Sequence, residues 1–421
     1  MGVAQAPTVL HVSLIAGSRL RDREGERIGR VDDLIVRLEG EYPPVSGVLA
    51  TVAGRQVYVP ADAIGEIGQF GVDLRAATLD LQRFERRPDE VLLKKDVLDR
   101  QLINVDGARL VRANEIEVAR MEGWYRVVGV DTSLRGIARR VVPRRLAGTV
   151  PAGTFLDWSS LEPFTGHVPT VRLRVPHPKL ARLHPAQLAD LVEAASHQEG
   201  EEIMQAVGGD GELEADVFEE LDLHHQREFI EERSDDDVAA VLARMEPDDA
   251  VDLLSELDDD RREAVVKLLP PPQRRRVRAL AGYDPATAGG LMNSQFVCLY
   301  MHATREEALE RIAQSRYPAD ALAWVYLMDP RRRLRGAIPL ADVLRAAEGS
   351  VLDDVVTFLP PRLTADTDLE EVARMMTDYD LTVAPVVDEH RQMIGVVTVD
   401  DVLELVIPRG WRRRFDVLGG E

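Results

Sequence analysis

The sequence predicts a multidomain α+β chain: an N-terminal small β-barrel pair, an acidic α-helical superhelix, and a C-terminal tandem pair of α/β units. Three observations predict it. The first 150 residues hold short alternating apolar and polar runs broken by glycine turns. From Gln187 the apolar residues recur at spacings of three and four. Beyond residue 290 strand-like and helix-like runs alternate.

The front of the chain repeats one plan. "RLRDREGERIGRVDDLIVRL" reads as strand, Glu24-Gly25 turn, strand, and "VSGVLATVAGRQVYVPADAI" adds a hairpin turning at Gly54. "LLKKDVLDRQLINVDGARLVRANEIEVARMEGWYRVVGVD" does the same with Asp106-Gly107 as its turn. An internal duplication follows, with β units at 8–86 and 88–150. Residues 151–186 are proline-rich and predict a connection. Residues 187–283 predict short helices. "DDVAAVLARM" places Val238, Val241, Leu242 and Met245 on one face, and "DDAVDLLSEL" places Val251, Leu254 and Leu257 likewise. Asp236, Asp248 and Asp259 open successive helices, where acids suit the N-terminus. Repetition of such short helices predicts a superhelix. The mixed units fall at 290–347 and 350–407, each in the order strand, helix, strand, strand, helix. Residues 408–421 form a basic tail containing Trp411 to Arg414.

Composition narrows the function. The chain has 421 residues, 45% hydrophobic and 30% charged, as expected of globular domains. Its net charge of −21 argues against broad nucleic-acid binding, which needs basic surface. Glu199 to Glu263 hold 25 acidic and 5 basic residues, so nearly all the excess charge sits in the helical domain. Cys298 is the only cysteine, which excludes an intramolecular disulfide and fits a reducing compartment. No apolar run approaches the ~20 residues needed to span a bilayer. The first residues lack the basic start of a signal peptide, and Ala6 stands where a myristoylation signal takes Ser or Thr. A cytoplasmic chain without a transmembrane segment of its own is expected. No Ser-His-Asp order, zinc-spaced set or phosphate loop occurs, and His224 and His225 point to different helix faces. No enzymatic activity is expected.

Longer motifs carry resemblances. "GSRLRDREGERIGRVDDLIV" and "LDRQLINVDGARLVRANEIEV" resemble PRC-barrel domains. The units at 290–347 and 350–407 resemble CBS domains. "GYDPATAGGLM", "DTDLEEVARMMTDYDLTVAPVVDE" and "GVVTVDDVLEL", behind an acidic helical domain, resemble the cytosolic part of the MgtE family of magnesium transporters and channels, from Gln187 to Val406. In that family a transmembrane pore follows; here the chain ends in "IPRGWRRRFDVLGGE", and the front pair is foreign to the family's architecture.

The resemblance implies a Mg²⁺ sensor, with carboxylates of the helical domain and of the second CBS unit bridged by the ion. Matching positions are Asp236 and Asp237 on the helical side, and Asp368, Glu370, Asp380, Asp401 and Glu404 on the other. Where the family carries another acid four residues after Asp236, this chain has Ala240. The resemblance also implies ATP or another adenine nucleotide at Gly395, Thr398 and Asp401, while the first unit has Pro339 in the threonine's place. Every one of these acids also serves as a helix cap or a solvated face, and Thr398 or Asp400 can simply start a helix. Association into a homodimer through the CBS units is implied, with a separately encoded membrane protein as partner. The alternative is an adaptor whose working end is the PRC-like pair, in RNA-processing or membrane complexes.

Overall fold

A computed structural model describes residues 9–75, 84–142, 153–168, 179–317, 319, 321–356 and 359–407. The basic tail from residue 408 therefore lies outside the described residues. The chain forms two compact units, Met1–Leu221 and Asp222–Glu421.

In the first unit, the duplicated halves trade their opening strands. Strand β1 (Leu10–His11) is followed by helix α1 (Val12–Ile15), then by β2 (Arg19–Arg21), β3 (Arg27–Arg37), β4 (Val45–Val52), β5 (Arg55–Pro60), β6 (Ile64–Gly68) and β7 (Gly71–Leu74). The second copy opens with β8 (Glu90–Leu92) and a helical turn, Leu93–Val97. It continues with β9 (Gln101–Asn104), β10 (Arg109–Arg112), β11 (Glu115–Met121), β12 (Trp124–Asp131) and helix α2 (Leu134–Val141). Strand β1 pairs with β11 of the second copy, Leu10 opposite Val118. Reciprocally, β8 pairs with β3 of the first copy, Val91 opposite Val36.

A buried acid receives each exchanged segment. Asp33 on β3 accepts the backbone N–H groups of Lys94 at 2.7 Å and Lys95 at 3.0 Å. Glu115 on β11 accepts the N–H of Ser13 at 3.1 Å and the Ser13 hydroxyl proton. Each also accepts the N–H of the residue after it, Leu34 or Ile116. Both acids thus act on the open N–H groups at the start of a helix donated by the other copy. The correspondence continues to the exit of each turn. Gly17 (φ 83°) donates its N–H to Val31, and Asp99 (φ 67°) donates its N–H to Ala113.

One hydrophobic core joins the copies: Val12, Leu20 and Val31 of the first pack in the same cluster as Leu93, Ile116 and Val127 of the second. The strands form a sheet ordered β5-β4-β3-β2-β7-β6 with β8 added on β3. Two smaller sheets, β1-β11-β12-β13 and β10-β9-β14, complete the unit. Their strands β13 (Phe155–Asp157) and β14 (Leu161–Pro163) fall in the proline-rich stretch expected to be a connection. That expectation is corrected for them: Leu161 is fully buried, and β14 pairs with β9. Among the described residues the largest sheet ends at β5 and β6, so its pairing is that of an open sheet.

Helices α3 (Pro185–Ala194), α4 (His197–Val207) and α5 (Gly211–Glu220) close the first unit. The second unit opens with α6 (Leu223–Glu231), α7 (Asp235–Leu242), α8 (Pro247–Ser255), α9 (Asp259–Leu268) and α10 (Pro271–Leu280). Each is short; α3 packs on α5, α6 on α8, α7 on α9 and α8 on α10, while α4 packs on its neighbours α3 and α5. That alternation is the helical stack expected from the repeated spacing. Asp210, Asp222 and Ser234 cap α5, α6 and α7.

Two matching α/β units follow. The first comprises β15 (Val297–Tyr300), α11 (Arg305–Gln314), β16 (Trp324–Met328), β17 (Leu334–Pro339) and α12 (Leu340–Arg345). The second comprises β18 (Leu363–Thr364), α13 (Leu369–Asp378), β19 (Val383–Val387), β20 (Met393–Thr398) and α14 (Val399–Val406). In each, the first pair of strands is parallel and the second antiparallel. Tyr326, Met328 and Ala337 of the first unit share a core with Val383, Val387 and Val396 of the second.

Burial raises the Asp33 carboxyl to about 7, against the opposing pull of its backbone donors. The folded state then holds a proton that the unfolded chain releases near pH 4. The contribution of Asp33 to stability is greatest below that pH and falls as pH rises toward 7, by up to about 1.4 kcal/mol per pH unit. Thermal unfolding at pH 5 and pH 8 is expected to show this loss in the parent chain, and Asp33→Asn is expected to abolish Asp33's share. Asp33→Ala leaves the Lys94 and Lys95 N–H groups without this acceptor and is expected to cost about 1–3 kcal/mol.

Candidate functional site

The acidic helices meet the second CBS-like unit through α8. Its sequence sets Pro247 at the first helical position and Asp248 and Asp249 in the first turn, which fixes where it starts. Ala250, Leu253 and Leu254 are buried within the stack. Val251 packs instead on the apolar cluster containing Met292, Val397 and Val402. Glu246, just before the helix, accepts a hydrogen bond from the Asn293 side-chain amide. Asn293 is almost fully buried and exchanges backbone hydrogen bonds with Val396 on β20, at 2.8 and 2.9 Å.

The stretch "GYDPATAGGLMN" builds this seat. Ala288 donates its N–H to Thr367 at 2.8 Å and Gly289 donates to Ala365 at 2.9 Å, which lays the segment along the second unit. A Cβ on Gly289 would stand 2.7 Å from the Tyr283 ring and 2.8 Å from the Ala365 carbonyl oxygen, so only glycine fits.

With α8 held there, like charges face each other. Asp252 stands next to Val251, and the charge of Glu404 on α14 reaches it. Partial burial, then Glu404, then Glu256 push the Asp252 carboxyl above its ordinary range, although the side chain keeps an exposed edge. Asp248, Asp252 and Glu256 stand four residues apart along one side of α8. Glu256 is also paired with Arg227 of α6. The polar side chains on this side of α8 and at Glu404 are carboxylates, the hard ligands that suit Mg²⁺ or Ca²⁺ rather than soft metals.

The expected residues divide into several places. Asp236 and Asp237 lie exposed at the start of α7, which packs on α9. Asp237 accepts the Ser234 hydroxyl proton at 2.6 Å, as part of the cap. The acid that α8 sets against Glu404 is Asp252, where Asp236 was expected. The four-residue acidic spacing missing at Ala240 is present at Asp248 and Asp252. Apolar periodicity drew attention to Val251 and Leu254, while the acids at every fourth position of the same helix were the usable signal. Asp368 caps α13 through the Glu371 N–H at 2.9 Å, and Glu370 follows in its first turn. Asp380 lies beyond the other end of α13, with φ 51°. The helix is roughly 15 Å long, so these three do not share one ion. Asp401 and Glu404 stand one turn apart on α14.

The nucleotide candidates are engaged by the chain itself. Thr398 is buried and caps α14, donating its hydroxyl proton and its N–H to Asp401. The Asp401 backbone N–H in turn reaches the Thr398 side chain, which makes the pairing a capping box. At Gly395 the close approach is made by Met292, whose Sδ would lie 2.7 Å from an added Cβ.

Short acidic helices followed by a pair of matched α/β units define an acidic helical domain joined to a CBS-like pair. The profile of the MgtE intracellular N domain matches residues 183–286, and that of the CBS domain matches residues 288–349 and 353–408. The magnesium transporter MgtE of Thermus thermophilus is 39% identical over 130 residues, 31% of this chain and 29% of that protein. That of Bacillus subtilis is 28% identical over 192 residues, 46% of this chain and 43% of that protein. The chain thus spans less than half the length of these curated relatives. The crystal structure of the soluble part of a magnesium transporter shares the fold, with TM-score 0.50 and 24% identity over 54% of this chain and 90% of that one. The cytosolic domain of the Mg²⁺ channel MgtE in complex with ATP is 30% identical, with TM-score 0.49, over 54% and 92%. Residues 183–408 therefore belong to the family of MgtE cytosolic regions, an MgtE N domain followed by two CBS domains. Among the described residues no helix is long and apolar enough to cross a membrane.

Thr398→Ala is expected to remove the cap of α14 and cost about 1 kcal/mol. For a unit of this size that lowers the melting midpoint by about 2–4 °C, read by calorimetry.

Proposed function

We propose that this chain senses Mg²⁺ and passes the result to a partner involved in magnesium transport or homeostasis. The observation that carries the proposal is Asp252 of α8 set against Glu404 of the second CBS domain, with the Asp252 carboxyl raised by partial burial and then by that neighbour. Bound Mg²⁺ would supply the positive charge that relieves this repulsion, keeping several of its waters while the carboxylates hold it. Asp252, Glu404 and Asp248 are the residues proposed to hold it, directly or through those waters. Saturation favours the seated state of α8; without the ion, repulsion favours its release.

We further propose that the protein acts in the cytoplasm as a homodimer through its CBS pair, read by a separately encoded membrane protein. An adenine nucleotide at Gly395, Thr398 and Asp401 would have to displace the Thr398–Asp401 pairing, so it would bind at the expense of the α14 cap.

Thermal melting with and without millimolar Mg²⁺ tests the sensor. Ligand at about 100 times its dissociation constant contributes roughly 2.7 kcal/mol, a rise of about 5–10 °C in the unit that binds it. Asp252→Asn is expected to raise the ion-free midpoint by about 1–2 °C, since removing a like-charge contact is worth on the order of 0.5 kcal/mol. The same variant is expected to lose most of the Mg²⁺ response. A Mg²⁺ response equal to the parent's in Asp252→Asn and in Glu404→Gln would rule out this site.

A further inference from the structure

The duplicated front unit contains a cavity that duplication alone does not account for. It encloses about 250 Å³ and is lined by both exchanged helical turns, α1 and Leu93–Val97. Ser13 and Lys94 line it from equivalent positions, since each gives its backbone N–H to the other copy's buried acid. The rest of its polar wall is Asp99, Arg139 and Arg140. Both arginines come from α2, which follows β12. The equivalent strand in the first copy, β4, runs directly into β5 with no helix between. The arginines are therefore an addition to one copy of a repeated scaffold.

The charges do not cancel. Arg140 donates from both terminal nitrogens to Asp99, at 2.6 Å each. Arg139, 2% exposed, lies 3.7 Å from Asp131, which is equally buried. Within each pair the two charges offset. Lys94 makes no ion pair among the described residues, which leaves a positive charge at the cavity wall. Behind Ser13, Glu115 is pushed toward its neutral form, chiefly by burial. The Arg140 Nε–H is buried and has no acceptor among the described residues. A buried guanidinium N–H without an acceptor, beside an unmatched ammonium, is the donor set that an anionic oxygen would satisfy.

We propose that this cavity binds a small oxyanion, a phosphate or carboxylate group, between the Arg140 Nε–H and the Lys94 ammonium, with Arg139 behind them. The volume sets the size of the ligand. Pockets for drug-sized molecules run from roughly 300 to 1,000 Å³, so this one suits a free anion or a short acid rather than a nucleotide. The site belongs to the front unit and stands independently of magnesium sensing.

Isothermal titration of the full chain with sodium phosphate and, separately, sodium succinate tests the proposal, with sodium chloride at equal ionic strength as reference. Saturable one-site binding of either anion is expected, and the one that binds identifies the source. Lys94→Gln, at an exposed side chain, is expected to weaken that binding at least tenfold while leaving the circular dichroism spectrum unchanged. Arg140→Lys keeps a charge beside Asp99 but removes the Nε–H, and is expected to weaken binding similarly. If neither anion binds beyond the chloride reference, or if binding persists unaltered in Lys94→Gln, the proposal is overturned.

Discussion

A carboxylate taken from water has to be answered by donors or by a cation. That constraint organises both units, in opposite ways. In the front unit Asp33 and Glu115 are answered by backbone N–H groups of the other copy, and the exchange of strands is the means of delivery. In the rear unit the seating of α8 presents Asp252 to the like charge of Glu404. The first arrangement closes on itself. The second stays tense, because the apolar contact of Val251 and the Glu246–Asn293 hydrogen bond pull α8 inward while the acids push it out. An element balanced between two such forces is what a small cation can tip.

The seat itself depends on backbone, which explains its unusual sequence. Gly289 allows the chain to pass against the Tyr283 ring and the Ala365 carbonyl, and Asn293 ties the same segment to β20. Since β20 leads directly into α14, the strand that anchors α8 also positions Glu404. Distance between the opposing acids is therefore set by a single continuous stretch of sheet and helix.

Much of the architecture was legible in the sequence. The Glu24-Gly25, Gly54 and Asp106-Gly107 turns, the short repeated helices and the two matched α/β units follow from local patterns, and local patterns are what a sequence displays. The strand exchange was not legible, because alternation in "VLHV" or "EVLL" reports that a strand forms and not which distant strand receives it. At the candidate site, Glu404 is expected from the resemblance, whereas Asp252 lies in a helix whose apolar face is the plainer signal. Thr398 and Asp401 drew attention as ligand groups, and the fold uses them on each other. The sequence of a capping box and that of a phosphate contact coincide here, and only the hydrogen-bond geometry separates them.

The exchange of opening strands has a consequence for synthesis on the ribosome. The first copy lacks one strand of its sheet, and the donors of two hydrogen bonds to its Asp33 carboxyl, until Glu90 to Lys95 have emerged. The second copy in turn closes around β1 and α1 of the first. Neither half reaches its final core before the other is present, so the front unit must be assembled as a single late event. Its contacts are long-range in sequence, which slows folding and lengthens the time that β3 and β11 stand with open edges.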